Sequence, residues 1–361
     1  MSAPAVSALF LRNAWYVAAW DREVGRELLP LTILGEPLVF FRQTDGQVVA
    51  LHDACPHRKL PLSMGRLKDN TVECGYHGLT FDGTGACVRA PGMQRPPPRA
   101  CVRAYPVVSR YGLLWVWMGD ADQADRSRIF QVAQWGDPAW GVNQGDGMQV
   151  QCNYLDLTDN LLDPSHVAWV HPGSFANVAC EDTPLEITQG DQGLTVWRWM
   201  KAVEPAPFYA PFLKFKGRCD RKQHYEMRYP CHALIRAIFV PAGSGGEGRP
   251  LHPDAFIMDS FNFMTPVDEH TTRYHWFQMR NFAPDDAEVS RQFAVSVRAA
   301  FEEDRVVLEA VHRGMSNPGT PPINLPIDAG PLQFRRKMAE RIAREEAQSA
   351  PRDLTFVSPG A

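Results

Sequence analysis

The sequence has no apolar run near the ~18 residues that a membrane-crossing helix needs, which excludes a helical span. A basic leader and a small-residue cleavage site are missing from its N-terminus, and Arg12 interrupts the only apolar stretch there, so secretion is not expected. Charge of one sign is lacking too: the net charge is −4, which offers no electrostatic footing for nucleic acid or an anionic membrane. Cysteine is sparse. Cys55, Cys74, Cys87, Cys101, Cys152, Cys180, Cys219 and Cys231 are spread through 361 residues, too thinly for a disulfide framework, and metal or redox use of a subset is the better expectation. Internal repeats and low-complexity blocks are absent as well. A cytoplasmic enzyme is expected, with neither nucleic acid nor membrane as partner.

What is present divides the chain in two. Residues 31–118 read as β-rich, with short runs such as 38-LVFFR-42, 47-QVVAL-51 and 105-YPVVSRYGLLWVWMG-119 punctuated by Gly, Asp and Pro. The segment 91-PGMQRPPPRA-100 is too proline-rich for regular structure. A polar stretch, 121-ADQADRSR-128, marks a boundary. Beyond it lie two helical candidates, 154–170 and 286–315, separated by strand-like runs at 194–201, 233–240 and 256–264. A third helical stretch, 331–347, precedes a polar tail at 349–361. Helices on an antiparallel sheet give an α+β class. Gly243, Gly245 and Gly248 match the dinucleotide fingerprint formally, but Pro250 and Pro253 follow at once, so no helix can begin there to meet a pyrophosphate. No other segment offers a nicotinamide or flavin site.

The strongest local signal is Cys55-x-His57, then sixteen residues, then Cys74-x2-His77, with Pro56, Gly75 and Gly78 turning the two loops. Two thiolates and two imidazoles suit a tetrahedral zinc. They also suit a [2Fe–2S] cluster held by cysteines on one iron and histidines on the other.

A second constellation follows. Asp163 precedes His166 by three residues, and His171 follows five later. Five residues turn an ideal helix by about 140°, so the two histidines converge only if the helix bulges or ends between them, and Pro172 favours an ending. In the later helix Phe293, Val297, Phe301, Leu308 and Val311 form an apolar stripe that includes Asp304, while Glu302, Glu303 and Arg305 are directed elsewhere. A carboxylate facing the core needs a salt bridge or a metal. With two histidines it completes a 2-His-1-carboxylate triad of the kind that holds Fe(II). Asp163 on the His166 face could accept that imidazole's N–H, or simply cap a helix ahead of Pro164.

The segments 55-CPHRKLPLSMG-65 and 74-CGYHGLTFDGTGACV-88 resemble the cluster loops of Rieske oxygenases throughout. Rieske proteins that only carry electrons have an extra cysteine in each loop; here Leu60 and Tyr76 stand in those places. The stretches 153-NYLDLTDNLLDPSHVAWVHP-172 and 302-EEDRVVLEA-310 resemble the catalytic segments of family members that oxidise a methyl group, such as the oxygenases of vanillate and dicamba O-demethylation and toluenesulfonate methyl hydroxylation.

The resemblance implies a [2Fe–2S] cluster on Cys55, His57, Cys74 and His77, and a mononuclear iron on His166, His171 and Asp304. Asp163 would be a bridging carboxylate and Asn160 a nearby polar residue. It implies a Rieske β domain at 1–120 and a helix-grip (START-like) catalytic domain at 121–348. The usual assembly is a head-to-tail homotrimer, in which Asp163 would reach His77 of the adjacent subunit. Electrons would come from a separate flavin- and ferredoxin-type reductase, and O2 would be the oxidant. The implied reaction is O-demethylation or methyl hydroxylation of a small, anionic aromatic; ring cis-dihydroxylation and oxidation of a non-aromatic N- or C-alkyl group are the alternatives. The likeness weakens between about 205 and 280, where Phe208, Arg236, Phe239, Met258, Asn262 and Phe277 are the candidate pocket residues.

Overall fold

The computed structural model describes residues 9–177 and 179–349; most of the expected polar tail, 350–361, lies outside them. Turn residues cut the first third into short strands: β1 (Trp15–Trp20), β2 (Leu29–Ile33), β3 (Glu36–Arg42), β4 (Val48–His52), β5 (Arg66–Lys68), β6 (Thr71–Glu73), β7 (Thr80–Phe81), β8 (Cys87–Arg89), β9 (Ala104–Tyr105), β10 (Val107–Arg110) and β11 (Leu113–Trp117). They form three antiparallel sheets, ordered β1-β11-β10, β2-β3-β4-β9 and β5-β6-β7-β8. One turn shows the cause. The Asp82 carboxylate accepts from the backbone N–H groups of Thr84 and Ala86, and Gly85 takes a φ of 84° that side chains disfavour. The proline-rich segment 91–100 is irregular and mostly exposed, as expected.

Beyond it a second sheet is built from β12 (Gly141–Val150), β13 (Glu186–Gly190), β14 (Gly193–Val203), β15 (Cys219–Arg228), β16 (His232–Pro241), β17 (Phe256–Pro266) and β18 (Thr272–Arg280). All pairs are antiparallel, and the order β12-β18-β17-β16-β15-β14-β13 is a meander closed at one edge by β12. The fingerprint-like Gly243, Gly245 and Gly248 lie in the loop between β16 and β17 with positive φ, and no helix starts there.

The helices are α1 (Tyr154–Leu161), α2 (Val167–Val170), α3 (Ala179–Asp182), α4 (Ala287–Gly314) and α5 (Ala329–Ser349). Asp286 caps α4 by accepting from the N–H groups of Glu288 and Val289. Phe293, Val297, Ala300, Asp304 and Leu308 form its buried stripe. The expected stripe extends too far: it ends at Leu308, and Val311 is 47 % exposed. Helix α5 is tied to α1 by Arg335, whose Nε meets Asp159 at 2.7 Å and whose Nη2 meets Asp156 at 2.9 Å.

The other face of the large sheet meets the N-terminal sheets. Trp15, Trp115 and Trp117 pack with Leu234, Phe261, Phe263 and Phe277 in one apolar cluster. Polar contacts also join the two, among them His232 Nε2 with the Trp15 carbonyl at 3.0 Å and Thr265 Oγ1 donating to the Val17 carbonyl at 2.7 Å. No helix among the described residues is long and apolar enough to cross a membrane.

Candidate active site

The loops after β4 and β6 have the same construction. The Cys55 N–H donates to the Leu60 carbonyl at 2.9 Å and the Cys55 carbonyl accepts from Lys59; Cys74 does the same with Leu79 (2.8 Å) and Gly78 (3.0 Å). In each loop the fourth residue after the cysteine is left-handed, Lys59 at φ 61° and Gly78 at φ 71°. Both cysteines are buried, while His57 and His77 are exposed with ring centroids 4.5 Å apart. Thiols inside and imidazoles outside are sorted two and two, which fits a two-iron cluster with a different ligand pair on each iron. None of the eight cysteines is in a disulfide.

The second site begins where α1 stops. The expected helix over 154–170 breaks before the first histidine, not at Pro172. Pro164 has no N–H to continue the helix, and its ring would meet the Asn160 carbonyl. The Asp163 carboxylate turns the chain by accepting from the Ser165 N–H at 2.7 Å and the His166 N–H at 3.2 Å. Since Asp163 is not helical, the shared-face expectation for it and His166 fails: the His166 Nδ1 bonds to the Asp163 backbone carbonyl, not to its carboxylate. Helix α2 is one turn long, and His166 and His171 bracket it, their rings 5.6 Å apart.

Helix α4 brings Asp304 to this pair. Its Oδ1 lies 3.1 Å from His171 Nε2 and 3.6 Å from His166 Nε2. The Asn160 amide donates to the same oxygen at 3.3 Å, and the Asn160 Oδ1 is buried without a partner. The sequence reading of Glu303 is corrected here. Its long side chain reaches back to His171 Nδ1 at 2.6 Å instead of pointing away. Each imidazole is therefore held at Nδ1, leaving Nε2 for the centre. Burial disfavours the imidazolium of His171, but the carboxylates of Asp304 and Glu303 outweigh it and raise its pKa. The ligand atoms of His166, His171 and Asp304 all lie within 4.8 Å of one another, so these residues could hold one metal ion. With three protein ligands, two imidazoles and one carboxylate, the set suits Fe(II) with open positions.

The three line a cavity of about 80 Å³ whose wall is largely apolar, including Val297, Ala300 and Phe301 of α4 and Ile235 of β16. Of the six candidate pocket residues Met258 alone is on the cavity wall. Arg236 alternates with Ile235, so it faces the opposite side, where its Nε and Nη2 each meet the Asp259 carboxylate at 2.6 Å. Phe277 pairs with Phe261 on that same opposite side. Phe208 and Phe239 stand behind the wall, against Phe175 (4.5 Å) and Tyr209 (4.7 Å). Asn262 is fully buried, and its Oδ1 accepts from the Tyr274 hydroxyl at 2.8 Å. The wall residues missed from sequence include Phe175, Tyr209, Arg221, Tyr225 and Ser260. A signal was available: along 221–227 every second residue is buried, and that buried row reads Arg221, Gln223, Tyr225, Met227. Polar groups on the inward face of a strand need a reason.

Known proteins resemble this chain over nearly its whole length. Residues 14–106 match the Rieske [2Fe-2S] domain and residues 150–344 the vanillate O-demethylase oxygenase C-terminal domain. The chain is 38 % identical to the toluene-4-sulfonate monooxygenase system iron-sulfur subunit of Comamonas testosteroni, over 95 % of this chain and 100 % of that one. It is 35 % identical to a vanillate O-demethylase oxygenase subunit of a Pseudomonas species, covering 95 % and 97 %. A crystal structure of dicamba monooxygenase bound to 3,6-dichlorosalicylic acid superposes with a TM-score of 0.86 at 33 % identity, covering 94 % of this chain and 99 % of that one.

Proposed function

This chain belongs to the Rieske non-haem iron oxygenases, as an oxygenase component with a vanillate O-demethylase-type catalytic domain, and on that footing we propose that it oxidises the methyl or methoxy group of a small, anionic aromatic. The observation that carries the reading is the convergence of His166, His171 and Asp304 on a small apolar cavity. The likeness to oxygenases named for toluenesulfonate and vanillate supports the choice of substrate class.

In this reading Cys55, His57, Cys74 and His77, within 1–120, hold the [2Fe–2S] cluster, and the triad, within 121–348, holds Fe(II). Bound there, the two groups supply single-electron transfer and O2-dependent oxidation of a C–H bond. The chain does the rest. The Asp163 carbonyl and the Glu303 carboxylate hold the imidazoles in register. Asn160 orients the Asp304 carboxylate. Val297, Phe301 and Ile235 hold the ring of the substrate and keep water from the reacting carbon. A hydroxylated methoxy group collapses to formaldehyde and a phenol; a hydroxylated ring methyl remains as an alcohol.

Electrons come from a separate flavin- and ferredoxin-type reductase using NAD(P)H. In a head-to-tail homotrimer in the cytoplasm, Asp163 links the His166 loop to His77 of an adjacent subunit. The test is turnover with such a reductase on methyl- and methoxybenzoates and the matching sulfonates. Formaldehyde or a benzylic alcohol is expected. A cis-diol as the product, or a purified protein containing zinc and no acid-labile sulfide, overturns the reading.

A further inference from the structure

The large sheet buries three arginines almost completely: Arg198, Arg221 and Arg280. They are not satisfied alike. Arg198 donates to Gln223 Oε1 at 2.7 Å and to the carbonyls of Thr183 and Pro164 at 3.0 and 3.1 Å. Arg280 reaches Asn143 Oδ1, Ser290 Oγ and the carbonyls of Ala283 and Asp286. Among the described residues Arg221 meets a single oxygen, the Phe175 carbonyl, 2.8 Å from Nη2. Its Nη1 finds only the Cys180 sulfur there, at 3.6 Å, and its Nε, like that of Arg280, has no partner.

Arg221 is also the one of the three on the wall of the cavity at His166, His171 and Asp304. The rings of Tyr209 and Phe239 lie beside its guanidinium, with centroids 5.6 and 5.2 Å away. They stabilise the cation without accepting its in-plane hydrogen bonds. Four residues further along β15, Tyr225 is on the same wall, its hydroxyl oxygen accepting from Gln223 Nε2 at 3.3 Å and its proton left to donate. A buried, under-satisfied guanidinium on a pocket wall is strongly unfavourable unless an anion completes it.

We propose that Arg221 is the specificity residue that receives the carboxylate or sulfonate of the substrate. With its anionic end held by β15, the ring presents its methyl or methoxy end to the wall formed by α2 and α4. This rests on the methyl-oxidation reading above and deepens it. A neutral amide offers the guanidinium one oxygen and no charge in place of a charged, two-oxygen acceptor, so the anion is expected to be preferred.

The test compares methyl- and methoxybenzoates, the matching benzenesulfonates and their neutral amides on the purified holoenzyme, by calorimetric binding and by turnover. The wild-type protein should bind the best anion about 10- to 100-fold more tightly than its amide. Arg221→Met should reduce that preference to about 2-fold, raising KM far more than it lowers kcat, with the spectra of both metal centres unchanged. Arg221→Lys should keep an intermediate preference, since it retains the charge without the planar fork. Should Arg221→Met fail to fold, the wild-type ratio and the Lys variant decide. Equal affinity for anion and amide in the wild type, or a preference that survives Arg221→Met, overturns the assignment and leaves methyl oxidation standing. No oxidation of any aromatic in the panel overturns methyl oxidation, and this inference with it.

Discussion

Cys55, His57, Cys74 and His77 come from two loops of one construction, each closed by backbone hydrogen bonds within about six residues, with the histidines at the surface. His166, His171 and Asp304 come from a broken helix and from a long helix far along the chain, and they meet only because both pack on the same sheet. The first site carries its geometry in its own turns. The second borrows geometry from the core around it, including Arg198, whose Nη2 holds the Pro164 carbonyl beside the histidine turn. The two sites should therefore fail independently.

The largest expected effect is that of Asp304→Ala. Removing one of the three proposed ligands from an open site should abolish turnover and empty the mononuclear position. Among the described residues the cluster loops share no hydrogen bond with α4, so the visible and electron-resonance spectra of the reduced cluster should be unchanged. Retained mononuclear iron with normal activity would show that Asp304 is a structural carboxylate.

Asp163→Asn probes the link between the sites. Ser165 and His166 donate to different oxygens of the carboxylate, and the amide oxygen keeps the shorter bond, from Ser165, so the turn should survive with about 1 kcal/mol lost. Both metal centres should remain, yet a single turnover started from a reduced cluster should yield only a few per cent of product. A near-normal yield would leave Asp163 as a turn residue alone.

The smallest effect concerns the seam where the two regions join. Burial pushes the pKa of His232 down to about 4 from its ordinary 6.5, and that of His275 to about 3. As pH falls below 6.5 the unfolded chain takes up protons that the folded chain refuses. Stability held above pH 6.5 is thus lost progressively toward pH 4, by about 3 kcal/mol for His232 alone. The urea midpoint should fall steadily between pH 7 and pH 5, and His232→Leu should flatten that slope. A midpoint independent of pH in the wild type would show that the seam is hydrated.

Much of this was legible in the residue order. The paired loop motifs, the strand runs, α4 and its buried Asp304 all follow from patterns shorter than about twenty residues. Turn formers, alternation and helical periodicity act at that range. The errors have a common origin in side-chain direction. Arg236 lies in the stretch where the family likeness weakens, and only the pairing of β16 with β17 reveals that Asp259 stands opposite to neutralise it. Glu303 was directed outward by helical phase, and only the position of α2 brings His171 within its reach.

The amino-acid sequence by itself determined the cluster loops and the chemical types at the iron site, because ligand identity and turn geometry are local properties. Which way a strand faces is not local: a shift of one residue in register exchanges its two sides. The tertiary structure alone therefore decided that Ile235 lines the cavity while Arg236 does not, and that the buried guanidinium on the wall it shares with His166, His171 and Asp304 belongs to Arg221.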